Sequence, residues 1–493
     1  MSSAGRRPLL LVVGVLLLAT ACGSTVQDAS TLATAPGLES TAPPGPPTDA
    51  PSASPGAAGG RTATDPAGRV PTSVGASAGV GQTDTASGQA AAAAPNLPGV
   101  TDTTISIGII AADPSTSQTM EDAGLGAASA GNEPANWQAM ADEVNANGGV
   151  AGRQLELIFH LVNLTDSPQT QGQAACARFT QDNTVAAVLS GYYYASAHVC
   201  LSNEGIPALL GTNYGVDRTV ATQSSTVVAW ATPLLDRLAA VLPDAFRSEG
   251  KLRAGTTAGI FVTDAPAFMR SASQLSADLT DRGLTVVTQT VRDSDTGDYS
   301  GASGDASAAV LQFRSAGVTE ILFLTHNAFE PMLLMQAANS QGYTPTYLLS
   351  TQQYPAALVG LVPPDQLTGA LAVGWAPAID LNIDYDTSVQ AQQCLTTLRD
   401  HGRTFSGGTQ TLAGLLACDG VDLLERAAER PGALANGDAL LRAALDGGTG
   451  FVSAVTFTTS FPDGRRDGVA AYRPMAYASG CGCFTYNGPT TPM

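Results

Sequence analysis

The sequence predicts an α/β protein built as two lobes, each a parallel sheet covered by helices on both faces. Three observations carry that expectation. From Thr101 onward, short apolar runs alternate with segments of helical period, the pattern that a parallel sheet with crossover helices requires. The alternation restarts near Ala258, which gives two such units in series. Glycines such as Gly283, Gly317 and Gly342 close several helical segments, marking where each turns back toward a strand.

The elements follow in order. Ile105 to Ile110 is rich in isoleucine and suits a strand buried on both faces. Trp137, Met140, Ala141 and Val144 recur at helical spacing, and Gly148-Gly149 ends that helix. Leu155 to Phe159 is the next strand, a helix spans about Gln171 to Phe179, and Val185 to Leu189 is a third strand. A short helix ending near Gly205 leads to Ala208 to Leu210. In the second unit, Ala258 to Val262, Thr285 to Val287, Glu320 to Leu324 and Tyr347 to Leu349 read as strands. Pro266 to Asp281, Asp305 to Ser315 and Glu330 to Ser340 read as the helices between them. Open α/β sheets bind ligands beyond the carboxyl ends of their strands, so a cleft between the lobes is the expected site.

The first hundred residues read differently. Arg6 and Arg7 precede an apolar stretch, Pro8 to Ala21, of about 14 residues, too short to span a bilayer and suited to an export signal over residues 1–21. Its end, Ala19-Thr20-Ala21-Cys22, resembles a bacterial lipobox, which implies a lipid on Cys22 and attachment to the outer face of the cell membrane. Residues 22–99 are rich in Ser, Thr, Ala, Pro and Gly with almost nothing to bury, and a flexible tether is expected there. Such a coil of about 75 residues spans roughly 50 Å.

Of the 7 cysteines, setting Cys22 aside leaves an even number in an exported chain, which suggests disulfides. Closeness in sequence favours Cys176 with Cys200, Cys394 with Cys418, and Cys481 with Cys483. A formal charge of −19 argues against nucleic acid as a partner. The histidines His160, His198, His326 and His401 have no paired spacing, and no metal or cofactor is expected. Gly75-Ala76-Ser77-Ala78-Gly79 matches a nucleophile elbow by chance, because no strand or helix flanks it. Ser196 and His198 sit two apart and so point to different helix faces, and no enzyme activity is expected.

The segment Asn136 to Leu157, with its helix, Gly148-Gly149-Val150-Ala151-Gly152-Arg153 turn and strand, resembles the type I periplasmic binding proteins of the branched-chain amino acid group. Val185 to Ser190, Gly205-Ile206-Pro207, Phe261 to Asp264, and Phe457 with Asp463-Gly464 match in the same order, so the resemblance covers about Thr101 to Asn487. It implies two Rossmann-like lobes joined by a three-crossover hinge, with 100–228 and 376–470 in one lobe and 229–375 and 471–487 in the other. It also implies a monomer that closes on a small solute and delivers it to an ABC permease in the membrane. A lipoprotein of the same fold that senses a ligand and signals to a membrane sensor kinase stays open as the alternative.

By the same resemblance, a ligand carboxylate is held by the loop and helix start after Val185 to Leu189, where physics independently favours an anion. That places Tyr192, Tyr194, Ala195 and Ser196 at the lip, with Tyr193 between them. Thr212 and Asn213 follow the next strand, Asp264 and Phe268 open the first helix of the second lobe, and Asn327 follows Glu320 to Leu324. Gln352 stands where amino acid binders often carry an acid for the ammonium group. With Asp264 as the only acid that can be placed at the cleft, a neutral or carboxylate-bearing solute is expected.

Overall fold

A computed structural model describes residues 96–122, 126, 129–163, 166–191, 194–212, 215–224, 226–293, 298–382, 387–447 and 450–493. The isoleucine run forms β1 (Thr104–Ala112), with partners on both sides. The first sheet continues with β2 (Gln154–Val162), β3 (Ala187–Ser190), β4 (Ala208–Leu210) and β5 (Val227–Ala229), in the spatial order β2-β1-β3-β4-β5 and parallel throughout. Its helices are α1 (Pro114–Asp122), α2 (Glu133–Ala146), α3 (Pro168–Ala177), α4 (Ala195–Asn203) and α5 (Arg218–Gln223). Trp137, Ala141 and Val144 of α2 are buried, as the helical spacing requires. The turn after α2 needs glycine: Gly148 and Gly149 have φ of +107° and +74°, and a Cβ on Gly149 would collide with the carbonyl of Arg153.

The second sheet begins after α6 (Leu235–Ser248). It is built from β6 (Thr257–Thr263), β7 (Thr285–Val291), β8 (Glu320–Leu324), β9 (Thr346–Ser350) and β10 (Leu371–Gly374), interleaved with α7 (Pro266–Asp281), α8 (Tyr299–Ser315), α9 (Phe329–Ser340), α10 (Pro355–Leu361) and α11 (Pro364–Leu367). After β10 come α12 (Pro377–Asp380), α13 (Val389–Asp400), α14 (Gly408–Ala428) and α15 (Gly437–Gly447), and then β11 (Ala471–Ala478), β12 (Cys483–Tyr486) and β13 (Thr491–Pro492). The sheet order is β7-β6-β8-β9-β10-β11-β12, with β11 and β12 antiparallel. α14 packs on α2 of the first sheet, so the chain passes between the two sheets three times.

Folded structure begins before residue 100. Leu97 is buried and its N–H donates to the carbonyl of Leu434, so the end of the stretch read as tether belongs to the folded unit. The paired cysteines join separate helices in two cases: α3 to α4 through Cys176 and Cys200, 6.1 Å apart at Cα, and α13 to α14 through Cys394 and Cys418, 5.9 Å apart. Both separations fit a disulfide. Cys481 and Cys483 sit 5.2 Å apart at the tip between β11 and β12.

The three passages are bound to one another. Asp467, on the third, is fully buried; its carboxylate accepts the Leu234 N–H of the first at 2.8 Å and pairs with Arg237 of α6 at 2.7 Å and with Arg465 at 3.0 Å. Gly468 N–H donates to Ala229 at the end of β5, where a Cβ on Gly468 would lie 2.6 Å from the Trp230 carbonyl oxygen. On the second passage, Trp375 donates its indole N–H to the Ala231 carbonyl at 3.1 Å and its backbone N–H to the Thr351 hydroxyl at 2.7 Å. Replacing Asp467 by Asn leaves two guanidiniums without their anion, and a loss of roughly 3–5 kcal/mol in urea unfolding is expected. Asp422→Asn, at the exposed Arg426–Asp422 pair, should cost less than about 1 kcal/mol. Equal losses in the two variants would refute this account of the hinge.

Candidate functional site

The carboxyl ends of the first sheet's strands bring Ala112, Gly191 and Thr212 into one region. Thr212 is buried, and its hydroxyl donates to the Gly191 carbonyl, tying the end of β4 to that of β3. Glu133, which sequence reasoning missed, joins them. It is 1% exposed; its carboxylate accepts the Ala112 N–H at 2.9 Å, and a Cβ on Gly191 would lie 3.1 Å from Glu133 Oε1. The local signal was present: Asn132 caps α2 by accepting the Ala135 N–H, and Pro134 suits a first helical turn, which fixes where Glu133 points.

α4 starts at Ala195, which is exposed, and no side chain caps its N-terminus. Ser196 departs from expectation. Its hydroxyl donates to the Gln169 carbonyl at 3.1 Å, and it packs so closely over Gly172 that a Cβ there would collide with its Oγ. It therefore fastens α4 to α3 and is not a free donor for a ligand. Half-buried Tyr194 holds His198, whose Nδ1 lies 2.8 Å from the Tyr194 carbonyl oxygen. Burial pushes the His198 imidazole down to about 4, so it is neutral at ordinary pH and structural. Tyr192, Tyr193 and Asn213 lie outside the described residues, as does Cys22.

On the second sheet, Asp264 follows β6 and is exposed, and its carboxylate accepts the Asp293 N–H at 2.8 Å. Asp293 in turn lies 3.3 Å from His326 Nε2, and the His326 ring packs at a 56° tilt against Phe268 with centroids 4.4 Å apart. Phe268 is fully buried, so its ring already has a partner. Asn327 uses its side-chain oxygen to accept the Phe329 N–H at 2.8 Å, which orders the start of α9. Gln352 is 3% exposed, and its Nε2 has no hydrogen-bond partner; Thr263 Oγ1, buried at the end of β6, has none either. Neighbouring Gln353 differs, with Oε1 accepting from Ser350 and Nε2 donating to Thr325. Tyr354 follows with φ of +49°, a strained backbone for a tyrosine at the end of β9.

The two edges face each other. A Cβ on Gly215, in the loop after β4, would lie 3.6 Å from the Phe268 ring and 3.7 Å from His326. Two residues on, Asp217 caps α5 and receives both Arg270 Nε at 2.6 Å and Arg270 Nη2 at 3.0 Å across the gap. The Asp217 carboxylate holds the Arg270 guanidinium above its ordinary pKa. A cavity of about 180 Å³ beside this pair also reaches Asp236 and Gln274. It is smaller than the ~300 Å³ at which small-molecule sites usually begin.

Buried acids border the hinge. Asp380 accepts the Tyr486 hydroxyl at 2.7 Å and the Ala376 N–H at 3.0 Å, while its other oxygen has no partner. Burial pushes its carboxyl up to about 7. Asp419, which accepts from Ser453 and Ala454, is pushed up to about 7 for the same reason. Among the described residues no group of three or more His, Cys, Asp or Glu could hold a metal ion, and no helix is long and apolar enough to cross a membrane.

A family profile described as periplasmic binding protein matches residues 104–479. Solved structures are similar at low identity. A substrate-binding protein of an ABC transporter from Desulfitobacterium hafniense in complex with Leu is 18% identical, covers 78% of this chain and 99% of its own, and gives a TM-score of 0.54. A fatty acid ABC transporter substrate-binding protein from Thermomonospora curvata is 16% identical, with 80% and 94% covered and a TM-score of 0.57. A solute binding protein of an ABC transporter from Rhodopseudomonas palustris BisB5, in complex with 3,4-dihydroxy benzoic acid, is 11% identical, with 79% and 97% covered and a TM-score of 0.55. No curated protein sequence matches the chain.

Arg270→Ala should shift the lobes toward a more open arrangement, read as a larger radius of gyration in small-angle scattering of the unliganded protein; an unchanged value would mean that the pair follows closure without favouring it. For Asp380, the folded carboxyl titrates near 7 against an ordinary 3.8, so the native state holds a proton that the unfolded chain has released over that interval. Its contribution to stability is full below pH 3.8 and falls as pH rises toward 7, so the parent protein should lose a few kcal/mol relative to Asp380→Asn across that window. Parallel pH curves of the urea midpoint in the two proteins would disprove the assignment.

Proposed function

Because the chain belongs to the periplasmic binding protein family, we propose that it is an extracytoplasmic solute-binding lipoprotein that captures a small solute between its two sheets and delivers it to an ABC permease. The observation that carries this reading is the pair of facing strand ends, one of them holding the buried Gln352 amide and the Thr263 hydroxyl without partners. A buried donor left unmade costs about 1–3 kcal/mol, and an acceptor on a bound solute would remove that cost. The lobes are taken as 100–228 with 376–470 and 229–375 with 471–487. The anchor is a lipid on Cys22.

The solute we infer carries a carboxylate or a neutral acceptor group. The uncapped start of α4 after β3 offers free N–H groups and the positive end of a helix dipole to an anion. The ligands named for the three similar structures, leucine, a fatty acid and 3,4-dihydroxy benzoic acid, all possess a carboxyl group. The contacts would come from Tyr192, Tyr194, Ala195, Thr212 and Asn213 on one side and Asp264, Phe268, Asn327 and Gln352 on the other. Glu133 is a second acid at these edges beside Asp264, but its buried carboxylate is already engaged by the Ala112 N–H.

A thermal-shift screen over amino acids, amides, aromatic acids and polyamines identifies the solute, since a ligand at 100 times its Kd adds about 2.7 kcal/mol. With that solute in hand, calorimetric titration tests the site: Gln352→Ala should weaken binding by about tenfold, corresponding to one lost hydrogen bond of ~1.4 kcal/mol, while the unliganded protein stays folded. Affinity within twofold of the parent would move the site away from the end of β9.

A further inference from the structure

The three cysteine pairs are not alike. Cys176–Cys200 and Cys394–Cys418 each join two helices across a sequence separation of 24, so each holds together parts of the fold that the backbone alone does not. Cys481–Cys483 spans a separation of 2 inside a turn that is already fixed. Ala478 pairs with Cys483 in the β11–β12 register, and the N–H groups of Cys481 and Gly482 both donate to the Ala478 carbonyl, at 3.2 and 3.0 Å. A bond that closes so short a loop restricts the unfolded chain least. Its mechanical contribution is small, which leaves its chemistry to explain.

Access differs as well. Cys394 and Cys418 are buried, whereas Cys481 is exposed at the hairpin tip, with Cys483 buried behind it at the start of β12. The flanking residues are Gly480 and Gly482. A Cβ on Gly480 would meet nothing within 4 Å, and one on Gly482 would meet only the Tyr477 hydroxyl at 3.8 Å, so the two residues flanking Cys481 carry no side chain and sit in open space. We propose that Cys481-Gly482-Cys483 is a thiol–disulfide exchange site, opened by a dithiol outside the cell.

In this exchange a thiolate of the dithiol attacks Sγ of Cys481, the S–S bond breaks, and Cys483 leaves as a thiolate that takes up a proton. The second thiol of the dithiol then loses its proton and attacks its own sulfur in the mixed disulfide, which releases Cys481. The dithiol is oxidised to a disulfide, and the protein pair is reduced to two thiols by two electrons with two protons. Exposed disulfides are the labile ones in this chemistry, because the attacking thiolate must reach the sulfur in line.

The full chain is treated with limiting dithiothreitol in one arm and with a reduced protein dithiol of the thioredoxin type in the other, quenched with a maleimide and mapped by peptide mass. Cys481 and Cys483 should be labelled at least about tenfold sooner than Cys176, Cys200, Cys394 and Cys418. Cys481→Ser/Cys483→Ser should abolish this fast phase and leave the thermal midpoint unchanged. Reaction in both arms makes a protein dithiol a competent partner; reaction with dithiothreitol alone restricts the site to small dithiols. Labelling of the pair without reductant, labelling no faster than the other four, or unfolding of the double variant would overturn the proposal.

Discussion

The buried carboxylate of Asp467 is the interaction on which the rest of the architecture depends. Two sheets that share no strand can act as one protein only if the passages between them keep a fixed geometry. Asp467 supplies this at one point: it binds the first passage through the Leu234 N–H, the helix that follows through Arg237, and its own strand entry through Arg465. A carboxylate wholly removed from water is tolerable only with such pairing, so its partners are as constrained as it is. Packing enforces the same point from outside. A Cβ on Gly420 would lie 2.8 Å from the Trp137 ring and 3.1 Å from the Trp230 ring, so α14 can approach the hinge only where a glycine stands.

With the hinge fixed, the opposed strand ends acquire different characters. The first sheet's edge satisfies itself: Thr212 bonds to Gly191, Glu133 to the end of β1, and Ser196 to α3. The second sheet's edge is partly satisfied, through Asp264 on Asp293 and Asn327 on Phe329, but it retains the Gln352 amide and the Thr263 hydroxyl without partners. The first edge therefore offers a rigid surface with backbone donors, and the second offers side-chain groups whose hydrogen bonds are still to be made.

Much of this was legible beforehand where periodicity is strong. β1, α2 and most strands and helices of the second unit through β9 fall within a few residues of the expected ranges, because apolar spacing and closing glycines leave little choice; α8 starts earlier than expected, at Tyr299, and β7 runs on to Val291. β5, α6 and the elements after β9 went unread. α6 holds Pro243 in its interior, and β5 and β10 are short enough to escape a periodicity test. At the candidate site, position in the chain places residues on the loops after the strands but does not give the directions of their side chains. Ser196 was assigned to the gap because it follows β3, yet helix geometry turns it to α3; Glu133 was overlooked because its distance in sequence from β3 hides its closeness to Gly191.

The Asp217–Arg270 pair bears on how such a protein holds its lobes. Its carboxylate is nearly buried, but the guanidinium side chain is 43% exposed, which places the pair closer to a surface ion pair than to a buried one. Pairs of that kind are worth at most about 1 kcal/mol, or roughly a fivefold change in a closed-to-open ratio. Moving an equilibrium from mostly open to mostly closed needs about 5.5 kcal/mol of differential affinity. The ion pair alone falls far short of that. On the reading proposed above, most of the closing energy would come from the bound solute, and the unmade bonds of Gln352 and Thr263 are where the second sheet would supply part of it.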